Sequence, residues 1–448
     1  MKNISFYEQY FIDIEDLFYY SPFTNNKCFI QTIQAEERRP TMTISNGPLH
    51  GIRILDLTQA HAGPFGTMLL GDLGAEIIRI EPPTGDMTRM GETRMNILLY
   101  YPMALGRNKK SIVLDMSSEV GKQAFYDLVK VSDVVVSNYR PGVSERLGID
   151  YETLKKINPK IIRSNISGYG ETGPSALLPS YDIIACGQSG VLSLSGEPGR
   201  SPVIPGGIAL ADMLGGTMAA FNILAALVKR NKDGIGMPVQ TNLLDCLLTF
   251  QQVMFQMYFS LNKVPGLQGN RHPIMTPYGI YPTKDGHITF GPSDSDKIIS
   301  LTGLEWMLED ERFKNTMSRI MNRGEFEKYF EEALLQKTTQ EWLALLRDAN
   351  DIACGAVVDY PQVLEDPQVK HNQMILEMEL NGEKYKTIAS MFKMPGILEG
   401  TPDPPADLGQ HTETVLKNLL GYSESQVEAI QKQNEAAVPE LKKRLKKL

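Results

Sequence analysis

Cysteine is scarce in this 448-residue chain, and the four present, Cys28, Cys186, Cys246 and Cys354, stand far apart with no C-x-x-C pair. Neither a thiolate zinc site nor a disulfide framework is indicated, and a reduced cytoplasmic compartment is expected. Basic residues are in deficit: 45 Lys and Arg against 53 Asp and Glu give a formal charge of −8. That balance argues against nucleic-acid binding through a general basic face, so any anionic ligand must be met by local groups. A G-x-G-x-x-G turn is missing after the first predicted strand, which disfavours a dinucleotide. The longest bilayer-length run, residues 208 to 228, is interrupted by Asp212, Asn222 and the Gly215-Gly216 pair. It reads as a buried core helix, and no membrane partner is expected. Asp13, Glu15 and Asp16 fall where the apolar core of a signal peptide would lie. Met42 stands shortly before the first strong strand, so residues 1 to 47 are either an appended arm or a mistranslated leader.

An apolar fraction of 42% with 22% charged residues is enough for a large core, and the length favours two domains. From Leu49 onward strands and helices alternate. HGIRILDLT is a strand, AGPFGTMLLGDLG a helix with a glycine stop, and AEIIRIEPP a second strand closed by prolines. KKSIVLDM, VSDVVVS and IIRSNIS are further strands, with an amphipathic helix over 118 to 130. This pattern predicts an open, doubly wound parallel sheet, with ligands at the carboxyl ends of its strands. TNLLDCLLTFQQVMFQMYFSL predicts one long apolar helix, CGAVVDY a strand, and the lysine-rich tail a solvated helix face. At residue 263 the chain turns rich in Pro, Gly and Tyr, which marks the start of a second domain.

Residues 180 to 230 place Asp182, Glu197 and Asp212 in an apolar, glycine-rich run. Carboxylates among Ile, Leu, Ala and Gly are costly unless paired or hydrogen-bonded, so this stretch is the candidate catalytic segment. Each acid also has a structural reading. Asp182 precedes IIACGQSG and Asp212 precedes a long helix, so either can be an N-cap; Glu197 can be a plain loop residue.

Taken together, the segments GIRILDLT with AGP, GAEIIRIEPPTGDMTR, NKKSIVLDM, DVVVSNYRPGVSERLGIDYETL, NPKIIRSNISGYGETGP, the Tyr181-Asp182 pair, ALAD, GNRHP with DGHI, and DLGQHT resemble the class III CoA-transferase and α-methylacyl-CoA racemase superfamily over residues 49 to 421. The resemblance implies an α/β fold: a discontinuous, Rossmann-like large domain over 48 to 262 and 376 to 448, and a smaller inserted α+β domain over 263 to 375. It also implies an interlocked homodimer, with a heteromer as the alternative, an acyl-CoA donor and a small carboxylic acid acceptor. CoA is substrate, with no tightly bound cofactor and no metal.

By the same resemblance, the CoA contacts map onto His61 and Ala62, Leu114, Asp115 and Met116, Asn138, Tyr139 and Arg140, Arg146, and Ser167, Gly168, Tyr169 and Gly170. Two basic positions that hold CoA phosphates in the family are Pro82 and Ser117 here, with Arg89, Arg107, Lys109 and Lys110 as substitutes. The implied reaction is attack of an enzyme carboxylate on the thioester, giving a mixed anhydride and then an enzyme thioester. By the resemblance the usual nucleophile position is Gly199, which leaves Glu197 and then Asp182 as nucleophile candidates, with Asp212 the best-matched family acid. The racemase branch pairs a His at position 181 with an acid at 212. Tyr181 is a poor proton acceptor near neutrality, so racemisation ranks second to CoA transfer, and a non-catalytic CoA-binding subunit is the third reading. Tyr278 and Tyr281 are either core tyrosines, the commoner case, or the lining of an acyl pocket, and His272 is expected in a structural role.

Overall fold

The computed structural model describes residues 47–86, 88–89, 100–204, 206–267, 269–380, 382–395, 397–398 and 400–445. The expectations for Cys28, Met42 and the leader lie outside them. Six parallel strands form the central sheet: β1 (Arg53–Asp56), β2 (Glu76–Glu81), β3 (Lys109–Val113), β4 (Val134–Ser137), β5 (Ile162–Ser167) and β6 (Pro238–Asn242), in the order β3-β2-β1-β4-β5-β6. Because successive side chains face opposite sides of a strand, each one feeds two cores. Ile54, Ile77, Val134 and Val136 face one layer, whereas Leu55, Ile78 and Val135 face the other.

The first layer is closed by α1 (Ala62–Asp72), whereas α2 (Glu119–Lys130) closes the second through Phe125, Leu128 and Val129. Ser118 starts α2 as its cap, accepting from the Gly121 amide. Further along come α3 (Asp182–Gln188), α4 (Leu210–Asp233), α5 (Leu243–Phe250) and α6 (Gln252–Leu261). Among the described residues α4 alone is long and apolar enough to cross a membrane. Its Ala219, Ile223 and Leu227 are buried in the first layer beside α1. The two glycines that interrupt its apolar run are the crossing point: a Cβ on Gly216 would lie 2.3 Å from the Ala62 carbonyl oxygen, and one on Gly66 2.6 Å from that of Gly216. Only glycine permits this approach of the two backbones.

The chain's end returns to the sheet. Val415, Leu416, Val427 and Ile430 pack in the second layer, and the DLGQHT segment with the Glu424–Leu445 helix covers the open edge of β3. The Ser111 amide donates to His411 Nδ1 and the Val113 amide to Thr412 Oγ1 at 3.0 Å. Asn434 receives the Asp115 amide and donates to the Val113 carbonyl, both at 2.9 Å.

A separate core lies around an antiparallel sheet of β7 (Gly279–Pro282), β8 (His287–Phe290) and β9 (Cys354–Ala356), with Phe326, Phe330 and Trp342. Arg271 of GNRHP clasps it, with its guanidinium 3.8 Å from the Tyr281 ring centre and ion pairs to Glu327 and Glu331. A hairpin of β10 (Ile375–Leu380) and β11 (Glu383–Ile388) follows.

Two expectations are corrected here. The long apolar helix is broken into α5 and α6 at Gln251, whose side-chain amide donates to the carbonyls of Leu247 and Ser189. The strand expected over CGAVVDY spans only Cys354–Ala356. Tyr281 takes the core position of its two readings, fully buried between Phe290 and Phe330.

Candidate active site

The direction of strand order reverses between β1 and β4, and in open parallel sheets ligands bind outside the carboxyl strand ends at such a point. His61 and Ala62 follow β1, Leu114 to Met116 follow β3, Asn138 to Arg140 follow β4, and Ser167 to Gly170 leave β5. All therefore lie at the same end of the sheet.

The α1/α4 crossing brings His61 to the head of α4, with Nε2 3.1 Å from Met213 Sδ and the ring edge-on to Tyr101. Its Nδ1 is buried without a partner, and burial holds the imidazole below its ordinary pKa against the opposing charge of Asp182. Asp182 is not the cap of its own helix. It is the first residue of α3, and its Oδ1 instead accepts from the amides of Ala211 at 2.6 Å and Asp212 at 3.1 Å. It therefore caps α4, whose own N-cap residue, Ala209, has no side-chain oxygen. Cys186 Sγ lies 4.0 Å from Asp182 Oδ2, and burial pushes that thiol up.

Asp212 does not cap α4 either. Its carboxylate has no hydrogen-bond partner among the described residues. Burial and the neighbouring Asp182 charge push it up to about 6. An acid so placed is a stronger base and nucleophile than a solvated one, and such perturbation clusters at functional sites.

Glu197 stands apart from these groups, exposed on the loop after Val191–Ser193. Residues 197 to 200 make a tight turn, closed by the Arg200 amide on the Glu197 carbonyl at 3.0 Å, with Gly199 at φ +79°. Proline second and a left-handed glycine third fit a type II turn, in which the third position favours glycine. Gly269 faces this loop: its amide donates to the Gly196 carbonyl, and a Cβ there would lie 2.8 Å from Glu197 Oε2. Tyr181 is 62% exposed, which sets it apart from the buried His61 edge.

The sequence-mapped CoA positions fare unequally. Ser167 to Gly170 form a half-buried loop in which Ser167 Oγ accepts the Gly170 amide at 2.9 Å. Gly168 lets Ser180 pass, since a Cβ there would lie 2.2 Å from Ser180 Cβ, and this ties the loop to the segment carrying Asp182. Asn138 is spent on the β1 loop, accepting from the Gln59 amide and donating to its carbonyl. Burial raises the Tyr139 phenol. Ala62 and Leu114 are core residues, and Met116 packs partly buried against the second layer. Asp115 is buried and held by Ser117 and Gln433.

The four substitute cations are each engaged by a carboxylate. Arg89 is bidentate on Glu81, Arg107 on Asp72, and Lys110 pairs with Glu76. Lys109 is buried against Asp56 at 3.1 Å, with burial lowering it to about 8. Arg140 and Arg146 are exposed and form no ion pair among the described residues. Sequence reasoning missed Met213, Tyr101 and Cys186 at the cluster. Only the adjacency of Met213 to Asp212 offered a signal.

A doubly wound parallel sheet with acids grouped at its carboxyl edge defines an α/β enzyme of the Rossmann-like class. Residues 49–412 match the family model described as CoA-transferase family III, and the chain belongs to that family. It is 34% identical over 394 residues to a succinyl-CoA:glutarate CoA-transferase of Mus musculus, covering 86% of this chain and 89% of the relative. It is 34% identical over 335 residues to an acetyl-CoA:oxalate CoA-transferase of Acetobacter aceti, covering 74% and 86%. A CAIB/BAIF family protein from Brucella suis superposes with a TM-score of 0.73 at 30% identity, over 84% of this chain and all of that one. The chain is thus a CoA-transferase, acting between carboxylic acids.

Proposed function

We propose that Asp212 is the nucleophile of this transfer. The observation that carries the reading is its half-buried carboxylate, which has no hydrogen-bond partner among the described residues and is raised to about 6 by burial and the neighbouring Asp182 charge. Asp182 is disfavoured because one of its oxygens is occupied by two backbone amides. Asp212 attacks the thioester carbonyl and CoA thiolate leaves, giving an acyl-aspartyl anhydride. The thiolate returns to the aspartyl carbonyl and releases the first acid. The incoming carboxylate then attacks the aspartyl-CoA carbonyl and expels the thiolate, giving a second anhydride. Attack of that thiolate on the acceptor's acyl carbonyl yields the new CoA ester with Asp212 as the leaving carboxylate. Each exchange joins species of similar activation, so little free energy is lost on the way.

The names of the relatives support short dicarboxylic acids as substrates, with succinyl-CoA as the first donor to test. CoA lies along the strand ends, its phosphates met by Arg140 and Arg146, which are exposed and unpaired. The large unit comprises 48–262 and 376–448 and the small unit 263–375, a division supported by the separate core around Tyr281 and Trp342. An interlocked dimer is supported by exposed Ile183, Phe221, Val228, Phe250, Val253 and Phe259 on α3 to α6. We assign it to the cytoplasm, as the sparse cysteines suggest.

Incubation with succinyl-CoA and hydroxylamine, followed by peptide mass spectrometry, tests the nucleophile. A hydroxamate on Asp212 is expected. A hydroxamate on Glu197 moves the role to the EPGR turn, and turnover with acid acceptors but no adduct on any acid overturns covalent catalysis.

A further inference from the structure

Arg163 is the second residue of β5, in register with Val135 on one side and Pro238 on the other. Its side chain is only 5% exposed. A guanidinium at that depth must be paired, and its flat fork allows two partners in different directions. Here the fork is divided. One terminal nitrogen donates to Glu171 and the other to Ser144 Oγ at 2.6 Å.

Each partner belongs to a different segment at the carboxyl edge of the sheet. Glu171 directly follows the Ser167–Gly170 loop, and its second oxygen accepts from Gln240 of β6. It therefore anchors the loop's exit, while Ser167 Oγ pins the Gly170 amide inside it. Ser144 is buried in the short helix Val143–Leu147, two residues ahead of exposed Arg146. The remaining guanidinium donor, Nε, is buried with no partner. The side chain thus leaves one donor unmade while reaching both segments. An apolar residue would fill the sheet without that penalty.

We propose that Arg163 is a positioning residue that holds the Gly168–Gly170 loop and the Arg146 helix in one register, and through them sets the affinity for the CoA moiety. The proposal rests on the reading that both segments contact CoA. It predicts that Arg163 acts on the thioester substrate and not on the acid acceptor. Lysine cannot replace it, because a single ammonium on a flexible stem does not present a planar fork to Glu171 and Ser144 together.

The test uses the full chain in Arg163→Lys, the Glu171→Gln/Ser144→Ala double variant, the two singles, and Arg146→Ala. Steady-state kinetics vary acyl-CoA and acceptor separately, with circular dichroism and urea melts as controls. Arg163→Lys and the double variant are expected to raise KM for acyl-CoA about tenfold, the size of one lost charge-assisted hydrogen bond. KM for the acceptor and kcat at saturation should stay within about twofold, and each single should give an intermediate effect. If Arg146→Ala raises KM for acyl-CoA while a folded Arg163→Lys does not, the positioning role is overturned and the CoA reading stands. If none of the variants moves that KM, the CoA reading fails and the proposal with it. Should Arg163→Lys not fold, the double variant decides on the same criteria.

Discussion

Replacing Asp212 by Asn separates the cost of keeping a half-buried acid from the use made of it. The carboxyl rises from 3.8 to about 6 in the folded protein, first through burial and then through the charge of Asp182. The folded state therefore holds the proton more tightly than the unfolded chain between those two values. Stability falls as pH climbs through that window, and the penalty is complete above it, at about 2 to 3 kcal/mol. Asn carries no charge and escapes this penalty. Urea unfolding is expected to show Asp212→Asn more stable than the parent at pH 7.5 by about that amount, and equal to it near pH 4. The same variant should lose at least about a thousandfold in kcat, as expected for removal of a nucleophile. In the parent, kcat/KM should fall tenfold per pH unit below about 6, since only the ionised acid attacks. A variant no more stable at pH 7.5, together with an acid limb centred near 4, would refute both the burial argument and the assignment.

Three further outcomes follow from the same geometry. Asp182→Ala removes the acceptor for the Ala211 and Asp212 amides. It should cost about 1 kcal/mol in urea melts and shift the acid limb of the rate profile to lower pH as the repelling charge goes. Gly216→Ala places a methyl 2.3 Å from the Ala62 carbonyl oxygen. It should destabilise by about 1 to 3 kcal/mol, read from the urea midpoint, and an unchanged midpoint would contradict the close helix crossing. Gly199→Asp adds a carboxylate to the EPGR turn but at φ +79°. It should lower stability by about 1 kcal/mol and leave kcat no higher than the parent's; a rise in kcat would count against Asp212.

The sheet was readable from sequence because its strands alternate locally: Ile54 and Leu55, or Ile77 and Ile78, announce two faces within adjacent residues. The acids were readable as candidates for the same reason, since a carboxylate in an apolar run is conspicuous. Their roles were not. Asp182 looked like a cap and is one, but for a helix that starts 28 residues further on. Arg89, Arg107, Lys109 and Lys110 looked available for phosphates because Glu81, Asp72, Asp56 and Glu76, which engage them, come from other strands and from α1. Pairing across a sheet depends on register, which a linear reading does not supply. The break at Gln251 was missed for a related reason: it is decided by a tertiary partner, the Ser189 carbonyl.

The fastening of β3 by His411, Thr412 and Asn434 also bears on how the chain is made. A strand finished near residue 113 waits for partners roughly 300 positions downstream, so its outer hydrogen-bonding groups stay open while those residues are made. At about 5 to 20 residues per second that interval lasts from about 15 seconds to a minute. During it, the bare edge is a template for any neighbouring nascent chain. Residues made about 300 positions after the strand are thus the ones that end this edge's exposure to aggregation.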